Sequence, residues 1–294
     1  MSSAESINAR SWLFAPGDSE RKMEKATAGA ADVAIFDLED AVMVSEKPKS
    51  RAMVAAFLKG NAKHRERLWV RINPIQGPFA RDDLAAVMPA APIGIVLPKP
   101  RGRADAELLD QRLTEFEIAS HLAIGSTKVM LLATEEPSSM LAIGSYAGVP
   151  RVAAMSWGAE DLATALGASD NHGDFIGGYG FTYELARSLC LIGAAAAGVA
   201  AIETIHGDFK DESGLRKRAA AMRRAGFRGM LAIHPAQVDV INEAFSATSD
   251  ELAAAQEIVD LFAANPGVGT IGHKGTMLDR PHLARAQALL ASRK

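Results

Sequence analysis

The stretch Lys128-Val-Met-Leu-Leu-Ala-Thr-Glu135-Glu-Pro137 is a short apolar run that ends in a carboxylate, with a proline placed to open a helix. Further on, Arg151-Val-Ala-Ala-Met-Ser-Trp-Gly-Ala-Glu-Asp161 repeats the pattern. Each reads as a buried strand that delivers an acid at its C-terminal end. The same unit recurs on both sides. Apolar runs stand at 12–16, 33–40, 68–74, 93–99, 129–133, 152–156, 199–204 and 228–235. Helical stretches follow them, ending near 30, then at 45–58, 81–88, 104–120, 138–146, 182–197, 214–225 and 237–245. Between the sixth run and its helix lies an irregular, glycine-rich stretch at 168–179.

Strands this apolar have no face to offer water. They must be covered on both sides, and crossover helices supply that cover in a parallel sheet. Eight such units in residues 1–247 predict an α/β fold, a (β/α)8 TIM barrel. An open doubly wound sheet is disfavoured, because no glycine-rich phosphate turn follows the first strand. Residues 248–294 form a C-terminal helical extension: a helix at 249–264, a break at Asn265-Pro-Gly-Val-Gly269, a short mixed segment at 270–280 and a helix at 281–292. A barrel does not need this extension, so it is expected to pack on a neighbour or cover the mouth.

Composition narrows the function. A net charge of −3 gives no electrostatic footprint for nucleic acid. The start, Met1-Ser-Ser-Ala-Glu-Ser6, has no basic-then-apolar pattern, and no run is long enough to span a membrane. The expectation is a cytoplasmic protein with no membrane partner. The single cysteine, Cys190, lies among Leu189, Leu191 and Ile192 and reads as a core hydrophobe.

Active sites of (β/α)8 barrels lie at the C-terminal ends of the strands. The polar residues there are Asp37, Glu39, Asp40, Arg71, Asn73, Lys99, Glu135, Glu136, Glu160, Asp161, Glu203 and His234. Acids dominate, which suggests a bound cation. There is no HExxH, no paired cysteine and no pair of histidines at helical spacing, so zinc is poorly supported. Mg2+ prefers oxygen, takes one or two protein carboxylates, and completes its shell with water and substrate. Helix capping accounts for a single strand-end acid; Glu135 and Asp161 together favour a shared Mg2+. Glu136 and Glu160 read as capping or exposed residues. Arg71 either pairs with Asp37 or Glu39, or grips a substrate carboxylate, or does both. Lys99 reads as electrostatic support for the acids, with a Schiff-base role as the alternative. His234 reads as a hydrogen-bonded structural residue.

Several segments carry a family pattern: Arg10-Ser-Trp-Leu-Phe-Ala-Pro-Gly17, Ile35-Phe-Asp-Leu-Glu-Asp-Ala-Val42, Val70-Arg-Ile-Asn-Pro74, Val96-Leu-Pro-Lys99, Gly158-Ala-Glu-Asp-Leu162, Ala232-Ile-His-Pro-Ala-Gln-Val238 and Met277-Leu-Asp-Arg-Pro281. In this the chain resembles the citrate lyase β-subunit-like (CitE-like) family of the HpcH/HpaI aldolase superfamily, with malyl-CoA and citramalyl-CoA lyases as relatives. The resemblance implies a Mg2+-dependent lyase that splits a 3-hydroxyacyl-CoA into a 2-oxoacid and an acyl-CoA by a retro-Claisen reaction. It also implies a homo-oligomer, a trimer above all. Glu135 and Asp161 fall on the metal-ligand positions, and Arg71 on the residue that grips the substrate carboxylate. Phe14 and Lys25 fall on positions that contact CoA. Asp279 matches an acid that the extension, as an inter-subunit lid, places over a neighbour's site. Three positions depart from the pattern: Glu136-Pro-Ser-Ser139 replaces Thr-Ala-x-Gly, Ser19 stands where an arginine is frequent, and Glu203 replaces an aspartate. The alternatives are a metal-dependent aldolase acting on a free hydroxy-oxo acid, and a non-catalytic relative that binds 2-oxoacid or CoA.

Overall fold

The computed structural model describes residues 7–173 and 178–291. Two compact units divide between Phe245 and Ser246. The first unit opens with β1 (Ser11–Pro16), α1 (Glu20–Ala28), β2 (Val33–Asp37), α2 (Lys47–Gly60), β3 (Leu68–Arg71), α3 (Ala80–Val87), β4 (Gly94–Leu97) and α4 (Arg103–Ala119). It continues with β5 (Lys128–Leu132), α5 (Pro137–Ala142), β6 (Val152–Ser156), α6 (Ala159–Leu166), α7 (Phe181–Ala197), β7 (Ala200–Glu203), α8 (Glu212–Ala225), β8 (Gly229–Ala232) and α9 (Val238–Phe245). The strands pair in sequence order, all parallel, and β8 closes on β1 to make an eight-stranded barrel. This is the predicted (β/α)8 architecture.

Strand alternation sorts side chains into two layers. Trp12, Val33, Ile35, Trp69, Val96, Met130, Leu132, Ala154, Ala200, Ile202 and Leu231 form one buried cluster, the filling of the bore. Their neighbours Leu13, Ala34, Phe36, Val70, Ile95, Leu97, Leu131, Met155 and Ala201 belong to the larger cluster that also contains buried residues of the helices. Towards the strand N-termini, Trp12 and Trp69 meet edge to face at 5.1 Å between ring centroids. Gly94 makes room for them: a Cβ there would lie 2.3 Å from the Trp69 ring.

Two local features differ from the sequence reading. Asp161 does not end a strand. It lies in the first turn of α6, which is N-capped by Gly158 and closed by Gly167 in the left-handed region at φ 70°. The helix read at 138–146 is a short α5 continued by a 3-10 turn over Ile143–Tyr146. Part of the glycine-rich stretch read at 168–179, residues 174–177, lies outside the described residues.

The second unit contains α10 (Ser249–Ala264), β9 (Thr270–His273), β10 (Thr276–Asp279) and α11 (Arg280–Ala291). Thr248 opens α10 with a reciprocal capping box to Glu251. The segment read as mixed is an antiparallel hairpin. Its loop is Lys274-Gly275, both at positive φ (46° and 77°), the twist that two-residue hairpin loops require. Of the helix read at 281–292, residue Ser292 lies outside the described residues. Among the described residues, no helix is long and apolar enough to cross a membrane.

Candidate active site at the C-terminal mouth of the barrel

Layer parity decides which strand-end polar groups face the bore. Asp37 and Arg71 continue the inward sets of β2 and β3, and they meet there. Arg71 Nε donates to Asp37 Oδ1 at 2.7 Å and Nη2 to Oδ2 at 2.6 Å. The same carboxylate accepts the backbone N–H groups of Glu39 (2.9 Å) and Ala41 (3.1 Å). Burial works to raise the Asp37 pKa, but the Arg71 charge and these hydrogen bonds outweigh it and hold it below the usual carboxylate value. Arg71 Nη1 lies 2.9 Å from Glu39 Oε2, an ion pair without hydrogen-bond alignment. The guanidinium carbon lies 4.9 Å from the centre of the half-buried Phe14 ring. Arg71 is thus fixed on three sides, with N–H donors of Nη1 and Nη2 unspent.

Glu135 follows β5 and is 4% exposed. Its one hydrogen bond is from the Lys99 backbone N–H to Oε2 at 2.8 Å, and it forms no ion pair among the described residues. Burial, then the charges of Asp161 and Glu39, push its pKa well above the ordinary value, against smaller opposing effects of Arg71 and the Lys99 N–H. The loops after β5 and β6 are tied together by Gly158 N–H donating to Thr134 Oγ1 at 3.2 Å. A Cβ on Gly158 would come within 3.0 Å of Glu135 Cγ, so glycine here permits the carboxylate to lie against the turn that starts α6.

Lys99 bridges the remaining acids. Its Nζ lies 2.6 Å from Glu39 Oε1, 2.9 Å from Asp40 Oδ2 and 3.1 Å from Asp161 Oδ1. Burial tends to lower its pKa, but the bonds to Asp40 and Glu39 and the charge of Asp161 overcome this and raise it. A lysine held so firmly as an ammonium is a poor Schiff-base nucleophile.

Other predicted positions serve the scaffold. Glu203 has outward parity. It is fully buried, accepts Trp157 Nε1–H at 2.9 Å, and pairs with Arg218 of α8 at 2.6 Å. Asn73 belongs to a buried network with Lys47, Asp83 and the Leu38 carbonyl behind β2. His234 Nδ1 accepts the Ala236 N–H and so caps a 3-10 turn, as read for a structural histidine. Glu136 stands at the N-cap of α5, and Glu160 is exposed and bonded to Asn171. Lys25 is exposed on α1 and is not among the residues contacting the acid cluster. Burial pushes the Cys190 thiol pKa up, keeping it inert.

Asp279 ends β10 in the second unit. Its Oδ1 shares a short hydrogen bond with His282 Nδ1 and accepts the His282 backbone N–H. The bond to His282 holds the Asp279 carboxyl below the usual range. Sequence reasoning missed His282 and Gly158. The i, i+3 spacing of Asp279 and His282 was available as a signal; the approach of Glu135 to Gly158 was not.

The site's chemistry fits Mg2+. Glu135 is a buried hard-oxygen donor with no ion pair of its own among the described residues, and Asp161 lies within electrostatic reach. No group of three or more His, Cys, Asp or Glu side chains able to hold a metal occurs among the described residues.

Comparison with known proteins agrees with the fold. The family model described as HpcH/HpaI aldolase/citrate lyase matches residues 10–235. The chain belongs to this family. Among its relatives is a citrate lyase subunit beta of Haemophilus influenzae, 31% identical over 97% of each chain. A (3S)-malyl-CoA thioesterase of Cereibacter sphaeroides is 33% identical over 96% of this chain and 93% of its own. The crystal structure of CitE from Mycobacterium tuberculosis in complex with magnesium, acetoacetate and coenzyme A superposes with a TM-score of 0.79 at 29% identity, covering 97% of this chain and 99% of that one. The relatives thus include both a citrate lyase subunit and a malyl-CoA thioesterase.

Proposed function

We propose that the protein is a Mg2+-dependent carbon–carbon lyase that cleaves a 3-hydroxyacyl-CoA of the citramalyl-, malyl- or citryl-CoA type to a 2-oxoacid and an acyl-CoA. The observation that carries this reading is the buried Glu135 carboxylate. It has no ion pair of its own and lies within electrostatic reach of Asp161 and Arg71. Glu135 and Asp161 would hold the ion. When bound, Mg2+ supplies Lewis acidity to the carboxylate and hydroxyl oxygens of the substrate. The unspent N–H donors of Arg71 receive that carboxylate, and Asp37 fixes their direction before substrate arrives. As the C–C bond breaks, the hydroxyl gives up its proton to solvent and becomes the carbonyl of the 2-oxoacid. The C–C electron pair moves to the carbon beside the thioester, which takes a proton from solvent relayed through Asp279, whose carboxylate is thereby restored. In the reverse condensation Asp279 removes that proton, and the carboxylate form favoured by His282 is the one that does so.

In this reading Phe14 and Lys25 serve the CoA portion, and the second unit of one subunit in a homotrimer reaches the mouth of the next. The magnesium and coenzyme A held by the mycobacterial CitE, and the malyl-CoA chemistry named for the Cereibacter relative, support the thioester. The test is Asp279→Asn on a panel of 3-hydroxyacyl-CoA thioesters, with Mg2+ binding followed by calorimetry. Cleavage is expected to vanish while the ion still binds. Unchanged turnover refutes the role of Asp279. Cleavage of a free hydroxy-oxo acid but of no thioester moves the reading to an aldolase, and Mg2+-dependent oxaloacetate binding with no turnover moves it to a binding protein.

A further inference from the structure

Lys99 touches both proposed metal ligands through different atoms. Its backbone N–H donates to Glu135 Oε2 at 2.8 Å, while its ammonium lies 3.1 Å from Asp161 Oδ1. The same ammonium is closer to Glu39 (2.6 Å) and Asp40 (2.9 Å). Lys99 sits between Pro98 and Pro100 with φ at +50°, a conformation a side-chain-bearing residue keeps only where its surroundings hold it. That backbone turn lets one residue send its N–H to one acid and its side chain to three others. The longest of the three ion pairs is the one to Asp161.

We infer that Lys99 is a built-in counter-cation of the metal site: its ammonium neutralises Asp161 when no divalent ion is bound and yields Asp161 to the ion when it arrives, staying anchored on Glu39 and Asp40. This rests on the metal-site reading above. Asp161 thereby keeps a cationic partner, at 3.1 Å, until the ion arrives. The consequence is a tuned, weakened affinity. An incoming ion must displace one ion pair and then sit beside a fixed positive charge. A lysine that merely organised the acids would have the opposite effect, since its loss would scatter the ligands. The sign of one measurement separates the two.

The measurement is Mg2+ titration of the full-length protein by calorimetry, with Mn2+ followed by electron paramagnetic resonance as a second probe. Lys99→Met keeps the length of the side chain and removes its charge; Lys99→Arg keeps the charge. Lys99→Met is expected to bind either ion roughly tenfold more tightly or better, and Lys99→Arg to stay near the unmutated protein. Equal or weaker binding by a folded Lys99→Met overturns the inference while leaving the metal site standing. Should Lys99→Met not fold, crystal structures of the unmutated protein with and without Mg2+ decide. Lys99 Nζ is expected to leave Asp161 and remain on Glu39 in the loaded form, and an ammonium still paired with Asp161 beside the bound ion overturns the inference. If the unmutated protein binds neither ion, the metal-site reading itself fails and takes this one with it.

Discussion

Arg71 and Asp37 meet through two parallel hydrogen bonds, 2.7 and 2.6 Å long, between the ends of adjacent strands. The carboxylate is spent on the guanidinium and two backbone N–H groups, so Asp37 acts as the mount and Arg71 as the tool. Breaking a buried pair of this kind costs about 3–5 kcal/mol. Asp37→Asn is therefore expected to lower the thermal midpoint clearly and to raise KM for the carboxylate-bearing substrate more than it lowers kcat. The pH dependence follows from the sign. Asp37 has a folded pKa below its ordinary 3.8. Its contribution is complete above that value and fades as pH falls through the folded value. Acid titration of stability, followed by circular dichroism, is expected to show a steeper loss below about pH 4 in the unmutated protein than in Asp37→Asn.

Gly158 lies against Glu135, and a methyl group there would press on the Glu135 side chain at 3.0 Å. Gly158→Ala meets no backbone strain, since φ is −130°. The substitution is expected to shift the Glu135 carboxylate by a few tenths of an ångström and cost up to about 1–3 kcal/mol of stability as mild overpacking. The larger effect falls on the ion: calorimetry is expected to show Mg2+ affinity down by about tenfold, against the 1.4 kcal/mol that tenfold represents.

Glu203 separates scaffold from chemistry. It ends β7 yet faces Arg218 and Trp157 rather than the bore. Glu203→Gln leaves a buried guanidinium without its charge partner, with an expected loss of about 3–5 kcal/mol. Mg2+ affinity and kcat of the folded fraction are expected to stay within twofold of the unmutated protein, on the order expected for a site without direct contact. A selective collapse of kcat would show that Glu203 reaches the reaction after all.

Lys99 is held as an ammonium by Glu39, Asp40 and Asp161. Borohydride treatment in the presence of pyruvate is accordingly expected to leave the mass of the intact protein unchanged. A covalent adduct mapping to Lys99 would reinstate Schiff-base chemistry at this position.

The barrel was legible because its signal is periodic and long. Eight apolar runs with helices between them leave few topologies. Arg71 and Glu135 were legible as strand-end groups; Asp161 was singled out too, but as the end of a strand, whereas it stands in the first turn of α6, within electrostatic reach of Glu135. Parity was the information left unused. Counting two by two from Ile202 puts Glu203 on the helix side, while counting from Ile35 puts Asp37 on the bore side. Helix α6 was missed although it carries ordinary punctuation, with Glu160 and Asp161 in its first turn and Gly167 at its end. The hairpin around Lys274-Gly275 was missed because its strands are short and mostly exposed, leaving too weak an alternation to read. The support Lys99 gives the acids was legible, but which of its atoms reaches which acid was not, since these contacts join residues 36, 60 and 62 positions away through a backbone turn that only coordinates reveal.

The paired indoles of Trp12 and Trp69, seated over Gly94, make a floor. A bore stopped at that end opens only at the other. In the lyase proposed above, both products would leave through that one mouth, and the fragment held by Arg71 would be the last to go.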